Sequence, residues 1–172
     1  MEKKVTSPFL TALILTLVLF VLDIVAGFAH FRFATWYRWL PAIILFIVVI
    51  WACVNYASQK NGDVTFGNVF SFGFKISAIT GCLAVITFLL SVYLIFPDTR
   101  DQILDQARTQ MEKQGNLSEE QINAGLDITR KFFLPFGIAG AVIFTIIVGT
   151  IGSLIGAAIA KKNPQSPFEN KS

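Results

Sequence analysis

Residues 76–96 read ISAITGCLAVITFLLSVYLIF, 21 positions without a formal charge. A helix rising 1.5 Å per residue needs about 20 such residues to cross a hydrocarbon core about 30 Å thick. Transmembrane strands are about ten residues long and alternate apolar with polar side chains, whereas this run is apolar all round. It is therefore predicted as a membrane-spanning helix. Three further stretches share the pattern: 9–29, interrupted only by Asp23; 40–57, near the short limit; and 132–160, of which 133–160 is assigned to the span. The expected fold is all-α, a single membrane domain over residues 1–172. It has four transmembrane helices and a helical hairpin insert at residues 97–131, between helices three and four.

Composition agrees. Charged residues make up 15% of the 172, against 54% hydrophobic and 13% aromatic. A soluble domain carries about 25% charge. Two cysteines and six prolines exclude disulfide-rich and collagen-like classes. Pro8 and Pro41 stand at expected helix starts, where a missing N–H costs nothing. Trp36, Tyr37, Trp39 and Tyr93 suit the headgroup level, and Pro135 is expected to kink or start the membrane part of the last helix. Lys3, Lys4 and the small residues near Ala29 loosely resemble a signal peptide. The apolar run exceeds the usual 7–15 residues, however, and Asp23 interrupts it, so the first helix is expected to stay.

Basic residues tie across the two sides of such a bundle. Lys3 and Lys4 before the first helix, with Lys161 and Lys162 after the last, favour both termini in the cytoplasm. Arg32, Arg38, Arg130 and Lys131 argue mildly against that orientation. The net charge of +3 resides in such short flanks and is no nucleic-acid signal.

Within the insert, Ile103, Leu104, Ala107 and Met111 share a face of a helix over 98–114, and Gly115-Asn116 stops it. Ser118 and Gln121 form a capping box for a second helix, with Leu117 and Ile122 as a hydrophobic staple. A hairpin lying on the membrane is the simpler reading; a docking surface around Glu119 and Glu120 is the functional one.

Asp23 is the one ionisable residue inside an expected span. Intramembrane charges are expensive and mark function by default. Thr16, Asp23, Gly27 and His30 follow at helical spacing as one polar and small stripe, with Ser91 or Tyr93 as candidate partners. The stripe reads either as a coupling carboxylate for a proton or cation, or as a single Asp hydrogen-bonded to a neighbouring helix. The second is preferred, because a transport path gathers more polar groups. Gly149, Gly152, Ser153 and Gly156 supply small residues at i, i+4 spacing for close helix packing, more readily inside the bundle than between copies.

Cys53 and Cys82 read as small apolar residues, and one histidine makes no metal site. No HExxH, CxxC, P-loop, GxSxG or GxGxxG motif is present. Neither an enzyme nor a cofactor is expected. The expected partners are the lipid bilayer and either a membrane protein or further copies of the chain, with no nucleic acid.

The turn Gln59-Lys60-Asn61-Gly62-Asp63 is followed by Val64-Thr65-Phe66-Gly67, Phe70 and Phe72-Gly73-Phe74. Later come Lys131-Phe132-Phe133-Leu134-Pro135 and a Gly-rich last span closing in Ala160-Lys161-Lys162. In order and spacing the chain resembles the domain-of-unknown-function family 4199. The resemblance implies four membrane helices, an insert before the last, and a bacterial inner-membrane home. The family has no established activity, so it implies no site residues.

Overall fold

The computed structural model describes residues 6–161, and all its regular elements are helical. Lys3, Lys4 and Lys162, three of the residues on which the expected orientation rests, lie outside the described residues. The elements are α1 (Pro8–Phe28), a 3-10 turn (Tyr37–Trp39), α2 (Leu40–Gln59), α3 (Phe66–Leu90), α4 (Thr99–Gln114) and α5 (Glu119–Ile159). Four helices are long and apolar enough to cross a membrane: α1, α2 with its preceding turn, α3 with its continuation to Ile95, and α5.

Local sequence accounts for most of the boundaries. The Thr65 side chain accepts from the Asn68 N–H and so starts α3 ten residues before its expected position. The exposed Lys75 rides inside that helix, its charge able to reach out along a flexible stem. Between α2 and α3 the chain reverses through left-handed Asn61 and Gly62. The Gly62 N–H donates to the Ala57 carbonyl at 2.8 Å and that of Asn61 to Ser58 at 3.0 Å, which satisfies the free end of α2.

The last helix departs most from expectation. Instead of a separate insert helix followed by a span, α5 runs unbroken for 41 residues. Ser118 caps it through the full capping box with Gln121, and the helix continues through Pro135. At 1.5 Å per residue it is about 60 Å long, twice the hydrocarbon thickness. Its two ends therefore cannot both lie in a bilayer that the helix crosses. Ile122, Gly125, Leu126, Thr129 and Phe133 carry one stripe of 3.6-residue period from the insert into the span, so nothing between them stops the helix except Pro135. That residue costs one backbone bond without ending the helix. The core is built where α3 meets α1, α2 and α5, around Val49, Cys53, Val69, Ile76 and Ala157.

Candidate functional site

The chain reversal after α1 creates the site. α1 ends at Phe28, and His30 adopts a left-handed φ of 59°. The His30 N–H donates to the Gly27 carbonyl at 3.2 Å and that of Phe31 to Ala26 at 3.1 Å, closing the helix end. Phe31 then stacks on Trp36 at 5.2 Å and meets Tyr37 edge-on at 5.4 Å, pinning the loop. The reversal brings Arg32 back over the last turns of the helix it has just left.

Arg32 Nε lies 2.8 Å from Asp23 Oδ1, and Arg32 Nη2 donates to Asp23 Oδ2 at 2.9 Å. This side-on fork is the strongest geometry available to a guanidinium and a carboxylate. Ser91 Oγ donates to the same Oδ2 at 2.9 Å and accepts from Arg32 Nη2 at 2.8 Å. Arg32 Nη1 donates at 3.1 Å to Thr99 Oγ1, which itself donates to the Phe96 carbonyl at 2.7 Å. The Phe96 ring centroid stands 5.0 Å from Arg32 Cζ, within cation–π reach. One charge pair thus ties α1, its following loop, the end of α3 and the start of α4.

The end of α3 is shaped for this task. Residues Ser91–Ile95 form a π turn, closed by the Phe96 N–H donating to the Ser91 carbonyl at 2.7 Å. Single π turns occur often at functional sites. Phe96 packs so close to Gly27 that a Cβ there would overlap its ring. Gly27 is thus what lets the Phe96 ring pack this closely on α1.

Of the two partners expected for Asp23, Ser91 bonds it and Tyr93 is exposed. Thr16 donates to its own Ala12 carbonyl at 2.8 Å and lines a cavity beneath the ion pair. His30 departs from the expected stripe. The helix ends two residues before it, so the periodicity that aligned it with Asp23 no longer applies, and its side chain is exposed. Arg32, Thr99 and Phe96 were missed. A base nine residues after an intramembrane acid, beyond a Gly27-Phe28-Ala29-His30 stop, was the available signal for Arg32.

The cavity is about 290 Å³ and is lined by all four spanning helices. Along α3 and the π turn after it the wall runs from Thr80 through Ala84, Thr87 and Phe88 to Ser91, so it extends about 16 Å down from the ion pair. Thr87 donates to Ala84 at 3.1 Å and Thr145 to Ala141 at 2.7 Å. Thr80, 2% exposed, is the exception, with no partner for its hydroxyl.

The small residues of α5 meet neighbours within the chain. A Cβ on Gly149 would overlap Ser77 of α3, and one on Gly156 would stand 2.7 Å from Cys53 Cβ and 3.2 Å from Ile50 Cα of α2. Gly152 faces the Phe46 carbonyl, and the fully buried Ser153 donates to Gly149 at 2.6 Å. Glu119 lies 3.5 Å from Arg108, which also holds Glu112 at 2.8 Å. These carboxylates raise the Arg108 pKa further, the Glu112 hydrogen bond most of all. Glu120 is exposed. Cys53 is buried and Cys82 exposed, both as free thiols. Among the described residues no three of His, Cys, Asp and Glu come together.

A family model described as "Protein of unknown function (DUF4199)" matches residues 9–162. The chain belongs to this family. No curated protein and no solved structure matches it. The matched DUF4199 region holds every residue of the Asp23 network and the whole cavity.

Proposed function

We propose that this DUF4199 chain is a non-enzymatic protein of the bacterial inner membrane, an accessory or scaffold component with both termini in the cytoplasm. Closure of the Asp23 network supports this reading best. The carboxylate accepts from Arg32 through both oxygens and from Ser91 through one. A coupling carboxylate must exchange its partner for a proton or cation, and here the partner is a fixed guanidinium of the same chain. The network binds helices together. Outside it, the spanning helices present large apolar side chains such as Trp51, Ile47, Phe136 and Ile147, suited to lipid or to another membrane protein. In this reading α4 and the first turns of α5 form the hairpin outside the bilayer, and the exposed Glu119 and Glu120 belong to its docking surface.

The test is the native mass of the complex extracted gently from its own membranes. A stoichiometric second protein, released by substituting Glu119 and Glu120 with glutamine, is the expected result. The chain recovered alone, or with copies of itself only, would refute the accessory role.

A small transporter or channel is the second reading, and the cavity that ends on Asp23 favours it. Under that reading Asp23→Asn abolishes flux and leaves folding and assembly intact. Loss of thermal stability with flux unchanged would refute it.

A further inference from the structure

A second cavity, about 330 Å³, lies where the end of α3 and the start of α4 meet the Pro135 region of α5. Arg100, Arg130 and Lys131 line it together with apolar Val92, Phe133 and Leu134. Among the described residues the ion pairs are those of Arg32 with Asp23 and of Arg108 with Glu112 and Glu119. Among the described residues the three cations of the cavity therefore have no carboxylate at ion-pair distance. Arg100 is held in place, its Nη2 donating to the Arg130 backbone carbonyl at 3.0 Å. That carbonyl stands one residue before the one that Pro135, lacking an N–H, leaves without its helical donor. Lys131 Nζ stands 5.7 Å from the Phe132 ring centroid.

Three like charges gathered at one concave mouth repel one another, and an anion from outside the chain relieves that repulsion. The position narrows the anion's chemistry. The uncharged run of α5 begins at Phe132 and that of α3 ends at Phe96, so the cations sit where the apolar segments begin. The apolar residues that line the cavity, Val92, Phe133 and Leu134, belong to those uncharged runs. A free phosphate would use the cations and leave that wall bare.

We propose that this cavity binds the phosphate headgroup of an anionic phospholipid. Arg100, Arg130 and Lys131 surround the phosphate, the two guanidinium groups offering paired N–H donors to its oxygens. The first methylenes of the acyl chain lie along Val92, Phe133 and Leu134.

The test is native mass spectrometry of the full chain in mild detergent, with phosphatidylglycerol and phosphatidylcholine supplied in equal amounts. Phosphatidylglycerol adducts are expected in several-fold excess. Each of Arg100→Gln, Arg130→Gln and Lys131→Gln is expected to weaken retention about fivefold. Lys131→Arg keeps the preference, and so does Arg108→Gln, which lies outside the cavity. Arg100→Gln also removes a bond to the α5 backbone, so Lys131→Gln, which gives up only the exposed contact with the Phe132 ring, is the variant that disturbs the fold least. Equal binding of the two lipids, or a preference that survives all three substitutions together, overturns the proposal. Displacement of phosphatidylglycerol by an equal concentration of glycerol 3-phosphate would also overturn it, since the acyl chain would then contribute nothing.

Discussion

Replacing Arg32 and Asp23 by leucine, singly and together, measures whether the pair is a clasp. Removing one member of a fully buried ion pair costs about 3–5 kcal/mol, because the other charge is left without compensation. Here the side chains are 17% and 25% exposed, so the pair is not fully buried and the cost falls toward the lower end. Charge-assisted hydrogen bonds are worth about 1.5–3 kcal/mol each when one partner is lost. Each single substitution is therefore expected to cost about 2.5 kcal/mol. Removing both leaves no orphaned charge but gives up the bonds to Ser91 and Thr99 and the contact of Arg32 with the Phe96 ring. The double variant is expected to lose about 2.5 kcal/mol as well, not the sum of the singles. Reversible unfolding in mixed micelles supplies the four free energies, and the coupling should come out near 2.5 kcal/mol. Additive single costs, with coupling below about 0.5 kcal/mol, would show that the pair holds nothing together and would refute the reasoning.

Five further substitutions, at four positions, test the packing and one helix end. Gly149→Ala, whose Cβ overlaps the buried Ser77, should cost about 1–3 kcal/mol, whereas Gly140→Ala, with no atom within 4 Å, should be neutral or gain up to about 1 kcal/mol; equal effects in a thermal melt would contradict the helix contacts. Thr80→Val keeps the shape and removes a buried hydroxyl without a partner, so a gain of about 1 kcal/mol is expected, and a loss of that size would mean that the hydroxyl is bonded within the cavity. His30→Gly relieves a left-handed residue and should raise stability by up to about 1 kcal/mol, while His30→Val should lower it; the opposite order would remove His30 from its place as the helix-ending residue.

The four spans were legible because hydropathy over 20 residues is a strong, local and redundant signal. Helix ends were legible where a side chain does the capping, as at Ser118, and less so at Thr65, which lies eleven residues before the uncharged run. The site was half legible. Asp23 stood out because charge is rare in lipid, and Ser91 followed from its similar depth. His30 was placed by extending a helical period past the end of the helix. A period says nothing about where its helix stops, and here the stop is made by backbone bonds that a histidine adopts against its steric preference.

Arg32 shows why one residue type admits two readings. A base just beyond a membrane helix reads first as a topology determinant, because sequence gives its distance from the span but not the direction in which the chain turns. The Schellman-type end at His30 supplies that direction, and the Phe31–Trp36–Tyr37 cluster keeps it. Once the chain folds back, the same guanidinium compensates the acid that lipid would otherwise penalise. The acid in turn gives α1 a polar tie to the π turn after α3. The lone intramembrane charge and the flanking base thus form one feature, split in the sequence by nine positions and a helix end.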